Sequence, residues 1–125
     1  MCAGGSKLGP SLEHRLVTTY FQATIELRGE HVELFCQNMK ERVLPIVERV
    51  GWKLIAGFMQ STGRFNTVVD IWQLDDLNHY ERGLQALTSH PDYPVIAAAI
   101  ALAVERETVV FMNRAPYLPA QRMLA

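Results

Sequence analysis

Hydrophobic and polar residues alternate one by one along the chain over residues 15–28. One face of this stretch collects Val17, Thr19, Phe21, Ala23, Ile25 and Leu27, and the other collects Thr18, Tyr20, Gln22, Thr24 and Glu26. Strict alternation at a period of two predicts a β-strand with one apolar face and one polar face that also bears an aromatic ring.

The stretch 30–50 instead has a hydrophobic residue every three or four positions, which is typical of an amphipathic helix. This stripe consists of Val32, Phe35, Cys36, Met39, Val43, Ile46, Val47 and Val50. Pro45 lies inside the pattern and predicts a bend, because proline has no N–H and crowds the carbonyl of Glu41. Gly51 is the expected end of the helix.

The later elements alternate between the same two periods. We predict a second strand at 52–60, a hairpin loop at 61–64, and a third strand that ends at Asp75 and Asp76, one of which caps the next helix. Helices are expected at 76–89 and 92–103, and a last strand at 104–113.

The predicted order is strand, helix, strand, strand, helix pair, strand. This is the split βαβ unit repeated, so we predict a ferredoxin-like α+β sandwich with one four-stranded antiparallel sheet and all helices on one side of it. Residues 1–14 are expected to be a disordered leader, 15–114 a single domain of this kind, and 115–125 a C-terminal tail.

The opposite face of the predicted sheet has no helices to cover it. Bulky strand residues such as Trp52, Phe58, Trp72 and Phe111 cannot all pack under the helices. A monomer with such a sheet face would expose an apolar patch of interaction size, so we predict a homodimer that pairs two sheets face to face.

Asp70 is the main candidate for chemistry, because it lies in the middle of an apolar strand and shares a face with Trp72. A buried carboxyl without a cation has a raised pKa and can act as a general base or acid near neutral pH. The structural alternative is an ion pair with Arg64 or Arg106 from a neighbouring strand.

Two histidines are weaker catalytic candidates. His79 lies near the start of the second predicted helix, where a solvated helix face is the alternative. His90 precedes a break between helices and could turn toward a pocket, or could be a surface or capping residue. They are eleven residues apart with no HxxxH or CxxC pattern, so we predict no metal site.

Five further residues are candidates for substrate binding. Tyr20, Gln22 and Thr24 form a polar stripe that either holds a ligand or joins two subunits. Trp72 and Tyr93 could line an aromatic pocket, although packing in the core is the alternative.

The composition narrows the function without naming it. The net charge of -1 argues against general binding of nucleic acid. The apolar run 95–104 is too short to span a bilayer, and the start of the chain has no apolar signal core. Cys36 on a predicted buried face and Cys2 in the leader do not form a disulfide framework, so we expect a cytoplasmic protein. The motifs GxGxxG, GxxxxGK[ST] and GxSxG are absent from the sequence.

Three segments resemble the NIPSNAP family of the dimeric α+β barrel superfamily. Glu41-Arg42-Val43-Leu44-Pro45-Ile46 is similar to the family's first helix, and 63–77 is similar to its third strand and the following helix start. His90-Pro91-Asp92-Tyr93 has the proline with an acidic residue and an aromatic nearby that family members often show. The resemblance covers about residues 17–114.

The resemblance implies one pocket per subunit, and such pockets serve cofactor-free oxygenases, isomerases, cyclases, haem enzymes and proteins without a known reaction. Our leading hypothesis is a homodimer without a bound cofactor, whose Asp70 transfers a proton on a carbonyl-bearing or aromatic organic substrate. The alternatives are a non-catalytic binding or interaction protein, and haem binding through a histidine.

Overall fold

The computed structural model describes residues 18–119. The strands are β1 (Thr19–Leu27), β2 (Lys53–Met59), β3 (Thr67–Leu74) and β4 (Val104–Met112). After a 3-10 turn at Gly29–His31, helix α1 runs over 32–49, and it is followed by α2 (Leu77–Thr88) and α3 (Tyr93–Ala103). The predicted leader and the tail beyond residue 119 lie outside the described residues, so the domain boundaries stay predictions.

The four strands form one antiparallel sheet in the order β2-β3-β1-β4. This confirms the ferredoxin-like α+β fold. The alternation of β1 is also confirmed, because Phe21, Ala23, Ile25 and Leu27 all lie in the hydrophobic core. That core lies between the sheet and the helices, where Phe35, Val47 and other helix residues pack.

Helix α1 accommodates Pro45 by a change in its hydrogen bonding. Its segments Val32–Asn38 and Leu44–Arg49 are α-helical, and Met39–Val43 between them is a π-helical turn. Pro45 cannot donate to the carbonyl of Glu41, and a local i→i+5 turn immediately before it absorbs the mismatch.

The prediction that Cys36 is buried is wrong, since Cys36 is an exposed free cysteine. The buried residues of this helix segment are Phe35 and Asn38, three positions apart. Cys36 is rotated by about 100° from Phe35 around the helix axis, which places it outside the buried stripe that contains Phe35 and Asn38.

Trp52, which immediately precedes β2, fixes the position of α2. Its indole N–H donates to the carbonyl oxygen of His79 at 2.9 Å. A Cβ atom built on Gly83 would lie 2.1 Å from the indole ring, so only glycine lets the helix approach Trp52 this closely. Gly51 precedes Trp52 with a φ of +95°, a left-handed conformation that favours glycine and ends α1 as predicted.

Gly83→Ala is therefore expected to lower the free energy of unfolding by about 1–3 kcal/mol, as overpacked core positions do. The sign is informative, because alanine is by itself a better helix former than glycine by about 1 kcal/mol. Urea denaturation measures the change, and Gln85→Ala, at an exposed position of the same helix, is the matched control. A Gly83→Ala protein as stable as the control would show that α2 can move away from Trp52 freely.

Candidate functional site

A cavity of about 420 Å³ lies between the helix-facing side of the sheet and the helices. Its volume is within the range of small-molecule sites. Five aromatic residues contribute to its wall: Phe21, Phe35, Trp52, Trp72 and Tyr80. Two charged residues line it as well, Asp70 and Glu107. Because Leu84 of α2 and Glu107 of β4 both line the cavity and are both exposed, the opening lies between these two elements.

Asp70 lies deep in this cavity. It is paired with Ala23 of β1 on one side and Gly57 of β2 on the other, and only 6% of its surface is exposed. A Cβ atom on Gly57 would lie 3.2 Å from the Asp70 carboxylate, so glycine leaves room for this side chain. Asp70 shares the helix-facing side of β3 with Trp72, as predicted.

The carboxyl of Asp70 has no partner among residues 18–119. It accepts no hydrogen bond there and has no cation within ion-pair distance. The predicted structural alternative is not realised, since Arg64 instead pairs with Glu26 and Glu105. Burial, with a smaller effect of the nearby Glu107 charge, raises the pKa of Asp70 from 3.8 to about 6.

Glu107 is the second carboxyl of the cavity. It lies on β4 opposite Ile25 of β1, so both side chains face the helices. Although the residue as a whole is exposed, its carboxyl is partly withdrawn from solvent, and this burial raises the pKa of Glu107.

Tyr80 projects into the same space from α2. Its ring stacks on Trp52 with centroids 5.5 Å apart and meets Phe21 and Phe111 edge-on. Burial, and then the Glu107 charge, raise the pKa of the Tyr80 hydroxyl. The phenol therefore stays protonated near neutral pH and can donate a hydrogen bond to a ligand.

His79 does not line the cavity. It is 1% exposed, so it is not on the solvated helix face that we considered as the alternative. Its Nδ1 accepts from the backbone N–H of Asp75 at 2.9 Å, and its Nε2–H donates to the carbonyl of Val50. With both ring nitrogens engaged by backbone, His79 joins α2 to the end of α1 rather than facing a ligand.

His90 and Tyr93 also lie outside the cavity wall. The Nδ1 of His90 accepts from the backbone N–H of Asp92 at 3.0 Å and thereby shapes the turn before α3. Tyr93 is partly buried at the first position of that helix. The structure thus gives neither predicted catalytic histidine a place beside Asp70.

Of the predicted ligand-binding residues, Trp72 lines the cavity while Tyr20, Gln22 and Thr24 lie on the opposite face of the sheet. Gln22 pairs with Ile71 and Val110, and its amide donates to Thr24 at 3.4 Å. Burial raises the pKa of Tyr20, and the Arg114 charge lowers it by less. The polar stripe is therefore separated from the cavity by the sheet.

Glu107 and Tyr80 were not among the site residues predicted from the sequence. The signal for Glu107 was present, because it has the same parity along the last strand as Val109 and Phe111. A carboxylate among apolar residues on one strand face is the same irregularity that identified Asp70.

Residues 18–119 contain neither a cluster of metal ligands nor a membrane-spanning helix. In that part of the chain, no group of three or more histidine, cysteine or carboxylate side chains could hold a metal ion. None of the described helices is long and apolar enough to cross a membrane.

Comparison with known proteins gives a family and a fold. The NIPSNAP family model matches residues 20–120. No curated protein is similar enough in sequence to be a relative. A NIPSNAP-like domain protein from Burkholderia xenovorans is 21% identical, with a TM-score of 0.71 over 83% of this chain and 90% of that chain.

Two further solved structures show the range of similar proteins. A NIPSNAP family protein from Agrobacterium tumefaciens is 14% identical, with a TM-score of 0.72 over 82% of this chain and 98% of that one. SnoaB, a cofactor-independent oxygenase from Streptomyces nogalater, is 16% identical, with a TM-score of 0.60 over 82% of this chain and 97% of that one. At these identities the similarity concerns the fold alone.

The raised pKa of Asp70 predicts a stability that depends on pH. Below the ordinary pKa of 3.8 the carboxyl is protonated in both folded and unfolded chains, and above a pH of about 6 the folded chain must hold a buried carboxylate. Stability is therefore lost as the pH rises through this range. Asp70→Asn is expected to raise the free energy of unfolding near pH 8 by up to about 3 kcal/mol, at roughly 1.4 kcal/mol per pK unit.

Urea denaturation at a series of pH values measures this effect. The gain from Asp70→Asn should shrink toward zero as the pH falls below about 4. Glu81→Gln, which neutralises an exposed carboxylate on α2, is the control and should leave the pH profile unchanged. An Asp70→Asn protein that is less stable near pH 8 would show that favourable contacts hold the Asp70 carboxylate.

Proposed function

The chain belongs to the NIPSNAP family, and on that premise we propose that it binds a carbonyl-bearing or aromatic organic substrate in the cavity and transfers a proton on it without a bound cofactor. The reaction is of the isomerase, cyclase or oxygenase type. Asp70 is the general base, and Tyr80 donates a hydrogen bond to the substrate. The similarity to SnoaB, a cofactor-independent oxygenase, supports chemistry without a cofactor.

The observation that carries this proposal is the unpartnered Asp70 carboxyl in an otherwise largely apolar cavity. A residue placed this way lowers stability and is typical of a site maintained for function. With a pKa of about 6, Asp70 is mostly ionised at neutral pH and is more basic than an ordinary aspartate, as a general base requires.

One proton transfer serves all three reaction types. When Asp70 removes a proton next to a carbonyl or from a phenol, the electron pair stays on the substrate as an enolate or phenolate. Return of the proton to another carbon isomerises the substrate, and attack on a carbonyl carbon of the same molecule cyclises it. Addition of O₂, the oxidant, to a carbon of the anion and protonation give a hydroperoxide, which loses water and leaves one oxygen on the substrate as a carbonyl. The phenol of Tyr80 can stabilise the developing oxyanion.

A binding protein without catalysis is the second candidate. It is favoured by the observation that no hydrogen bond within residues 18–119 orients the Asp70 carboxyl, whereas catalytic groups are usually held in position by neighbours. A haem in this cavity would have no histidine ligand from residues 18–119, since no histidine of that range lines it.

We also propose that the protein is a cytoplasmic homodimer that pairs through the sheet face opposite the helices. Two of the cross-strand rows on this face are Ala56–Ile71–Gln22–Val110 and Phe58–Val69–Thr24–Thr108. Phe58 is 61% exposed and Val110 is 46% exposed. Burial of these side chains between two sheets would remove a large apolar surface from water.

Proton transfer by Asp70 is tested by deuterium exchange in D₂O, followed by proton NMR on a panel of cyclic ketones. We expect the unsubstituted protein to accelerate exchange at the α-carbon of ligands that bind. Asp70→Asn should lower this rate by about 10²-fold or more, in line with the loss of a general base. Glu81→Gln is the control and should exchange at the original rate.

Binding of each panel member is established separately by the fluorescence of Trp52 and Trp72. Panel members that bind without accelerated exchange, or an Asp70→Asn protein as active as the unsubstituted one, would contradict catalysis by Asp70. Binding without any exchange would favour the binding protein.

The dimer is tested by the molar mass in light scattering at micromolar concentration. Val110→Lys should shift the protein toward the monomer mass by at least about tenfold in the dissociation constant, because a lysine buried at an interface is strongly unfavourable. Val95→Lys is the matched control, since Val95 is 52% exposed on α3, away from the sheet. A monomeric unsubstituted protein, or a Val110→Lys protein that remains a dimer, would contradict this interface.

A further inference from the structure

The charge of the cavity wall is of one sign. Asp70 and Glu107 are its charged members, and no lysine, arginine or histidine from residues 18–119 lines it. Neither carboxyl has an ion-pair partner in that part of the chain. Asp70 is only 6% exposed, its carboxyl has no hydrogen-bond or ion-pair partner among residues 18–119, and it faces into the cavity. A buried carboxylate in this situation requires a compensating charge or donor, and here a ligand can supply it.

The rest of the wall is suited to an organic cation. Trp52, Trp72 and Tyr80 line the same space as the two carboxyls. The faces of such rings carry partial negative charge and attract ammonium groups within about 6 Å of the ring centroid. Carboxylates combined with aromatic rings are thus complementary to a positively charged nitrogen on an apolar body.

A metal cation fits this wall poorly. Magnesium and calcium require about six or more oxygen ligands, and aromatic and aliphatic side chains supply none of them. An anionic ligand would meet two carboxyls of its own sign at close range and low dielectric.

We propose that the cavity takes an organic ligand with a protonated amine, whose charge lies between Glu107 at the opening and Asp70 in the interior, and whose apolar part contacts the tryptophans. This inference rests on the proposed function in so far as both place the ligand in the same cavity, and it names the class of that ligand. The amine enters past Glu107, the exposed residue of β4 at the opening.

Three probes of similar size test the inference. They are 2-phenylethylammonium, 2-phenylethanol and 3-phenylpropionate, which are cationic, neutral and anionic near pH 8. The chain has two tryptophans, and both line the cavity, so quenching or enhancement of tryptophan fluorescence reports its occupancy. We expect the ammonium to bind at least about tenfold more tightly than the alcohol, and the carboxylate to bind most weakly.

Variants separate charge from shape. Asp70→Asn and Glu107→Gln should each reduce the preference for the ammonium over the alcohol by about threefold or more, and the double variant should abolish it while the alcohol still binds. Glu81→Gln, at an exposed residue that does not line the cavity, should leave the preference unchanged. Equal binding of ammonium and alcohol, tighter binding of the carboxylate, or no binding of any probe would overturn the inference.

The outcomes are distinguishable from those of the exchange experiment. A preference for the ammonium without deuterium exchange would keep the ligand class and remove catalysis by Asp70. Exchange of neutral carbonyl probes without a preference for the ammonium would keep catalysis and remove the ligand class.

Discussion

The contact of Trp52 with α2 is the constraint on which the cavity depends. The indole lies against the backbone of the helix at Gly83 and donates to the carbonyl of His79, while the His79 ring holds the end of α1 through Val50. One aromatic residue thus fixes α2 relative to β2, and through His79 relative to α1. Because Tyr80 stacks on the same indole, the contact that holds the fold also sets one wall of the cavity.

This rigid frame explains how the chain can hold Asp70 without a partner. A buried carboxylate is unfavourable by several kcal/mol when nothing compensates it, and a flexible site would relax by turning the side chain toward water. Here the core includes three nearly inaccessible side chains, Val47, Leu74 and Trp72. Asp70 lies in the middle of β3, where it is paired with β1 on one side and β2 on the other. The unfavourable charge is therefore kept where a ligand can meet it.

The sequence allowed the fold to be predicted almost completely, and the site only in part. Alternation and helical stripes determine which residues are buried, so β1 and the position of Asp70 beside Trp72 followed directly. The roles of the histidines could not be predicted in this way. Nothing in the local pattern shows that the ring of His79 forms a hydrogen bond with the backbone of Val50, 29 positions away. Tyr20, Gln22 and Thr24 were correctly placed on the face away from the helices, but the sequence could not show that the cavity lies on the other side.

Two irregular pairings decide which side chains enter the cavity. The shift between Leu54 and Ala56 reverses the parity of β2, so that Gly57 rather than Ala56 lies beside Asp70. The shift between Glu26 and Leu27 lets Val104 and Glu107, three residues apart on β4, face the same side. In regular strands, Gly57 and Asp70 would lie on opposite faces of the sheet, and so would Val104 and Glu107. A protein with the same fold but without these bulges would have another wall around its cavity, so the chemistry of the site depends on features that similarity of fold alone does not transmit.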